Sequence, residues 1–210
     1  MHRIIPVLAV VFLVAAPALA QTIAASTHGD PAPAEVAEPL RAVLSDGGAR
    51  AQVGDVALTF WWVKVLSVFG APEWEKVAEG SLVGAVQIGG PFRDIRGRAI
   101  KPGVYTLRYA VQPQDGDHLG VSTFRDYLLL SPAALDQDPA PGGHVGTIRM
   151  STRTIGASHP GPWMLNPPTT TEPALTTGTN DMKLQYVVFE VPTTAGPMRF
   201  GLVLIGKVEA

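Results

Sequence analysis

VYTLRYAV, residues Val104 to Val111, alternates residue by residue. Tyr105, Leu107, Tyr109 and Val111 fall on one side of an extended chain, with Thr106 and Arg108 on the other. That is the pattern of a strand with one face on a core. The signal recurs on either side. VALTFWWVKVLSV (Val56 to Val68) is rich in β-branched and aromatic residues. Val56, Leu58, Phe60 and Trp62 point one way and Trp61, Val63 and Val65 the other, which predicts a central strand covered on both faces. Ser81 to Ile88, Phe124 to Leu130, His144 to Arg153, Met182 to Val191 and Arg199 to Val208 read as further strands. A short N-terminal helix is expected where Pro39 suits the first position, Leu40, Val43 and Leu44 share a face, and Gly47 ends the run. Strands joined by turn chemistry, without helical crossovers, predict an all-β antiparallel β-sandwich of about seven to eight strands. Its long Pro-rich loops are Ser131 to Gly143 and Gly156 to Asp181.

The ends of the chain add a compartment. His2 and Arg3 form a short basic start, Ile4 to Ala16 an apolar run, and Pro17-Ala18-Leu19-Ala20 the small residues of a cleavage site. Residues 1–20 are therefore expected to be a signal peptide removed after Ala20, placing the protein in the periplasm or outside the cell. The apolar run is shorter than the roughly 20 residues of a membrane helix, and no transmembrane segment is expected in the mature chain. Residues 21–34 (QTIAASTHGDPAPA) lack periodicity and read as a flexible leader. Residues 35–210 read as a single domain.

Composition narrows the chemistry. Cysteine is absent, which excludes disulfides, thiol catalysis and thiolate-held metals and leaves the fold resting on its core. A net charge of −2 with 16% charged residues argues against nucleic acid as a partner, which calls for a strongly basic face. No GxSxG, HExxH, GxxxxGK[ST] or GxGxxG motif is present. A non-enzymatic binding or interaction module is the expectation, its partner a small molecule, a glycan or a protein. Two sharper alternatives come from side chains that ligands favour. His118, His144 and His159, with Asp115 and Asp117, could hold a transition-metal ion through imidazole and carboxylate. Their spacing matches no ligand template. Trp163, stiffened by prolines in HPGPWMLNPP, and Trp61 could stack on a glycan.

Two charged stretches read as structural. FRDIRGRAIK (Phe92 to Lys101) has the cation density of an anion site, but Asp94 interrupts it and Gly97 marks a turn, so it reads as a solvated connection. In PQDGDHLGVSTFRDY (Pro113 to Tyr127), pairing of Arg108 or Arg125 with Asp115, Asp117 or Asp126 would stabilise a long loop between strands. GRAIKPGVYTLRYAVQPQDGDH (Gly97 to His118), with SLVGAVQIGGPFRDIRGRAIKPG overlapping it and FGLVLIGKVEA near the C-terminus, resembles an uncharacterised family of exported bacterial β-sandwich proteins. That resemblance implies compartment and fold; the family has no established activity, so no catalytic residue is carried over.

Overall fold

Strand β3, Val56–Trp62, lies inside a seven-stranded antiparallel sheet. Its neighbours in spatial order are β1 (Ile23–His28) and β2 (Gly48–Val53) on one side, then β4 (Leu82–Ile88), β7 (Gly103–Val111), β8 (Asp126–Pro132) and β9 (Gly161–Met164) on the other. Apart from the inserted hairpin of β5 (Phe92–Arg93) and β6 (Ala99–Ile100), spatial order follows chain order. A three-stranded antiparallel sheet, β10 (Thr177–Thr179), β11 (Gln185–Thr193) and β12 (Gly196–Ile205), completes an all-β fold. The computed structural model describes residues 22–113, 124–156, 159–167 and 169–207. Among them no helix is long and apolar enough to cross a membrane.

The two sheets meet through aromatic rings. Phe60 and Trp62 of β3 stack at 5.3 Å and reach Phe189 of β11 at 4.9 and 5.0 Å. Phe200 of β12 stands edge-on to Trp62 at 5.3 Å. Burial of each such side chain contributes on the order of 1.5–3 kcal/mol, and each ring pair about 0.5–1.5 kcal/mol more. The core of this cysteine-free chain is thus assembled by alternation: Val187, Phe189 and Val191 of β11 and Met198, Phe200, Leu202 and Leu204 of β12 all face it. One edge is also hydrogen-bonded across. Beyond β9, the Asn166 N–H donates to Gly201 O at 2.7 Å, and the Gly201 N–H to Pro167 O at 3.2 Å.

Several expectations are corrected. The segment read as a flexible leader contributes edge strand β1, paired in register from Ile23 opposite Val53 to His28 opposite Gly48. Its small side chains hide the alternation, and tertiary bonds hold it: His28 Nε2 pairs with Phe60 O at 3.0 Å and Trp61 Nε1 donates to Asp30 O at 2.7 Å. The stretch His144 to Arg153, expected as a strand, lies in helix α2, Gly143–Ile155. The loop read from Gly156 to Asp181 contains β9 and β10. Near the N-terminus, α1 (Glu38–Val43) ends at Leu44, before Gly47, which instead adopts φ +90 next to β2.

Helix α2 packs on the sheet through hydroxyls. Ser151 Oγ and Thr154 Oγ1 each donate to Leu130 O of β8 at 2.6 Å, and the Gly161 N–H of β9 donates to Ser151 Oγ at 3.0 Å. Its buried residues are Thr147, Ser151 and Thr154, spaced four and three apart, which is one helix face. The apolar period that announces most helices is absent because the inward face is polar.

Candidate functional site

Beneath the start of α2 lies a buried ion pair that ties three segments together. Arg108 of β7 is 1% exposed and Asp136 is 2% exposed. The guanidinium donates from Nε to Asp136 Oδ2 at 2.7 Å and from Nη2 to Oδ1 at 2.8 Å, the two-pronged geometry that makes Arg–carboxylate pairs strong. Nη1 donates to Gly80 O at 2.7 Å and Ala140 O at 3.0 Å, and Nη2 also to Asp138 O. Thr106 Oγ1 adds a bond to Asp136 Oδ2 at 2.6 Å. Arg108 and Thr106 do lie on the face opposite the apolar one, but the chain from Ala133 to Ala140 covers it. Among the described residues the acidic partner of Arg108 is therefore Asp136.

This clamp sets the position of α2. Gly80 O also accepts from the Gly142 N–H at 3.3 Å, so the helix begins against the clamped carbonyl. Gly80 has φ +85, and a Cβ there would lie 2.4 Å from Gly143 N and 2.9 Å from Thr147 Oγ1. Only glycine allows so close an approach at that backbone angle. In the first turn of α2, His144 Nδ1 meets Glu79 Oε1 at 2.5 Å, and the same oxygen accepts the Val111 N–H at 3.0 Å. Since a carboxylate only accepts, Nδ1 carries the proton of that bond.

Between α2, the β5–β6 hairpin and the outer face of β7 and β8 is a cleft of about 390 Å³. Ala110 and Val111 of β7 and Tyr127 and Leu129 of β8 line it from the sheet, Ile148 from α2 and Ile95 from the hairpin. Polar groups also contribute: Arg96 and Arg98 of the hairpin, Gln112, His144 and His159. Arg98 is held by Asp94, whose side chain is 0% exposed, with Nε to Oδ2 at 2.7 Å, and its Nη2 donates to Pro160 O at 3.0 Å. Asp94 Oδ1 also takes the N–H groups of Arg96 and Arg98, at 3.0 and 2.8 Å, which folds the tight turn between β5 and β6. FRDIRGRAIK is therefore a hairpin packed on the core through Phe92 and Ile100, and its Arg96 and Arg98 line a cleft. The reading of a solvated connection is corrected; the cation density of the stretch was the available signal.

The remaining candidate residues fall as follows. His144 and His159 line this one cleft, whereas Asp115, Asp117 and His118 lie outside the described residues. Among the described residues, no three His, Asp or Glu side chains are grouped to hold a metal ion. Trp163 is 1% exposed and Trp61 2% exposed. Trp163 faces Phe60 and Phe92 at 5.7 and 5.8 Å, so neither indole offers a ring face to a glycan. Arg125 donates from Nε and Nη2 to Gln112 O at 3.2 and 2.9 Å, holding the two strand ends together through a backbone carbonyl. Asp126 Oδ1 accepts from Tyr109 OH at 2.6 Å. Burial raises the Asp126 carboxyl above the ordinary value, opposed by the Tyr109 bond and reinforced by the charge of Glu75. Tyr109 is itself raised, by burial first and then by the Asp126 bond, and stays a donor.

Comparison with protein-family models, with curated proteins and with solved structures finds no match to this chain. The cleft must be interpreted from its own chemistry.

Proposed function

We propose that the protein is an exported binding module in which the two sheets form a β-sandwich and the cleft beside α2 seats a small molecule. The observation that carries this reading is the cleft itself. Its volume is in the range of small-ligand sites, and its composition is theirs too: apolar side chains from fixed strands with a few placed polar groups. Binding is favoured over chemistry because several polar groups around the cleft are already engaged in holding structure. Glu79 is bonded to His144 and to the Val111 N–H, and Asp94 is bonded to Arg98. Export is supported by the order of basic, apolar and small residues over residues 1–20.

The test uses N-phenyl-1-naphthylamine, a neutral apolar probe that fluoresces when shielded from water. The protein is expected to bind it saturably at one site, and Ile148→Trp, which fills the cleft from the α2 wall, is expected to weaken binding by at least about tenfold. The thermal transition of the variant serves as the check on its fold. Saturable binding that survives Ile148→Trp, or no saturable binding by the parent chain, would overturn the proposal.

A further inference from the structure

The cleft lining has a charge bias that the chain as a whole lacks. The sequence carries 18 acidic residues against 16 Lys and Arg, yet Arg96, Arg98, His144 and His159 line the cleft and no Asp or Glu among the described residues does. The carboxylates belonging to this region stand behind the lining: Asp94 beneath Arg98 and Glu79 beside His144. They orient Arg98 and His144. Among the described residues Arg96 forms no ion pair, and its side chain is on the exposed rim. Arg98 Nη2 donates to the carbonyl of Pro160, the residue that follows His159 in the chain. Facing these groups across the cleft are Ala110, Leu129 and Ile148, which offer nothing polar from their side chains.

We infer that the ligand of this cleft is a small amphipathic anion, an apolar body bearing one singly charged oxyacid head such as a carboxylate or sulfonate. The inference rests on the cleft-binding proposal above and adds the chemical class of the ligand. The head lies at the Arg96–Arg98–His159 rim, where guanidinium forks match the geometry of a carboxylate and the low-dielectric walls strengthen the attraction. The body covers the Ala110–Leu129–Ile148 floor, where removal from water drives binding. Arg98 is neutralised from behind by Asp94, so among the described residues Arg96 supplies the unmatched positive charge, and one negative charge on the ligand balances it.

The test compares two probes with the same aromatic body: neutral N-phenyl-1-naphthylamine and 8-anilinonaphthalene-1-sulfonate, which adds one negative charge. The anionic probe is expected to bind about tenfold or more tightly than the neutral one, with the advantage shrinking as salt is raised from about 20 to about 500 mM. Arg96→Gln is expected to cut that advantage about tenfold. Arg93→Gln, on the same hairpin but bonded to Gly97 O and outside the lining, is expected to keep it. Equal affinities, or an anion advantage indifferent to both salt and Arg96→Gln, would overturn the inference while leaving cleft binding intact. Binding of neither probe, or of both with Ile148→Trp in place, would overturn the cleft proposal and the inference with it.

Discussion

Arg108→Met removes the five hydrogen bonds that the guanidinium makes to Asp136, Gly80, Asp138 and Ala140. The Asp136 carboxylate stays, 2% exposed, with the Thr106 hydroxyl as its remaining side-chain donor. An uncompensated buried charge costs about 3–5 kcal/mol, well beyond the about 0–1 kcal/mol of an exposed pair. A domain of this size loses roughly 2–4 °C of Tm per kcal/mol, so the variant is expected to melt about 6–20 °C lower. Urea unfolding followed by circular dichroism gives the free energy directly. Asp136→Leu is expected to be similarly damaging, because it strands the guanidinium among three carbonyls. The double variant Arg108→Met/Asp136→Leu leaves neither charge, and is expected to be more stable than the sum of the single losses by about 2 kcal/mol or more. A loss under about 1 kcal/mol for Arg108→Met, or strict additivity in the double variant, would refute the reasoning. The clamp also locates the first turn of α2 through Gly80, so Arg108→Met should weaken neutral-probe binding in the cleft in step with its stability loss.

Two further outcomes follow from the same region. Gly80→Ala places a methyl 2.4 Å from Gly143 N at φ +85, and is expected to cost about 2 kcal/mol or more in urea unfolding, since the left-handed strain alone is about 1–2 kcal/mol; a loss below about 0.5 kcal/mol would contradict the close approach. Asp126 has a folded-state carboxyl raised above the ordinary 3.8, so in the window from that value upward the folded state holds more protons than the unfolded one. Its contribution to stability therefore falls as pH rises through the window. Measured against Asp126→Asn, which keeps an oxygen for the Tyr109 hydroxyl, the parent chain is expected to be relatively most stable near the acid end and to lose that standing towards pH 7. A difference that grows with pH would show the sign to be wrong.

Strands with one side chain in two facing a core were legible in the sequence, and so was the all-β class. VYTLRYAV became β7, and VALTFWWVKVLSV supplied β3, with both faces of its Phe60–Trp62 end buried. What escaped was structure held by bonds that a single sequence does not display. The leader contains a strand because β2 offers it a ladder and Trp61 and His28 tie down its end. GHVGTIRMSTRTI has the β-branched content of a strand, and two glycines that disfavour a helix. Only the spacing of Thr147, Ser151 and Thr154 announces the face that packs, and it is made of residues usually taken for surface. The two tryptophans chosen for a glycan failed for the commoner reason: large aromatics most often fill cores.

The polar inward face of α2 also bears on why a cleft exists at all. A helix packed through leucines would need side chains of their length between its axis and the sheet, along its whole run. Here hydroxyl bonds to Leu130 O draw the C-terminal half of α2 close to β8, with Thr154 Cγ2 3.3 Å from where a Cβ on Gly161 would lie. At the other end the helix is held by Gly80 and by the Glu79–His144 bond, which sits at the rim of β7 rather than over the centre of the sheet. Anchored at both ends by polar contacts, α2 brings Ile148 against the apolar cluster of Leu129 and Ala110, and together they line the cleft. The residues that misled a reading of secondary structure are thus the ones that hold the helix beside the cleft, and Arg96 and Arg98 of FRDIRGRAIK line it. The cleft was hidden at the same positions as the fold, because in both cases the information lay in polar contacts between segments distant in sequence.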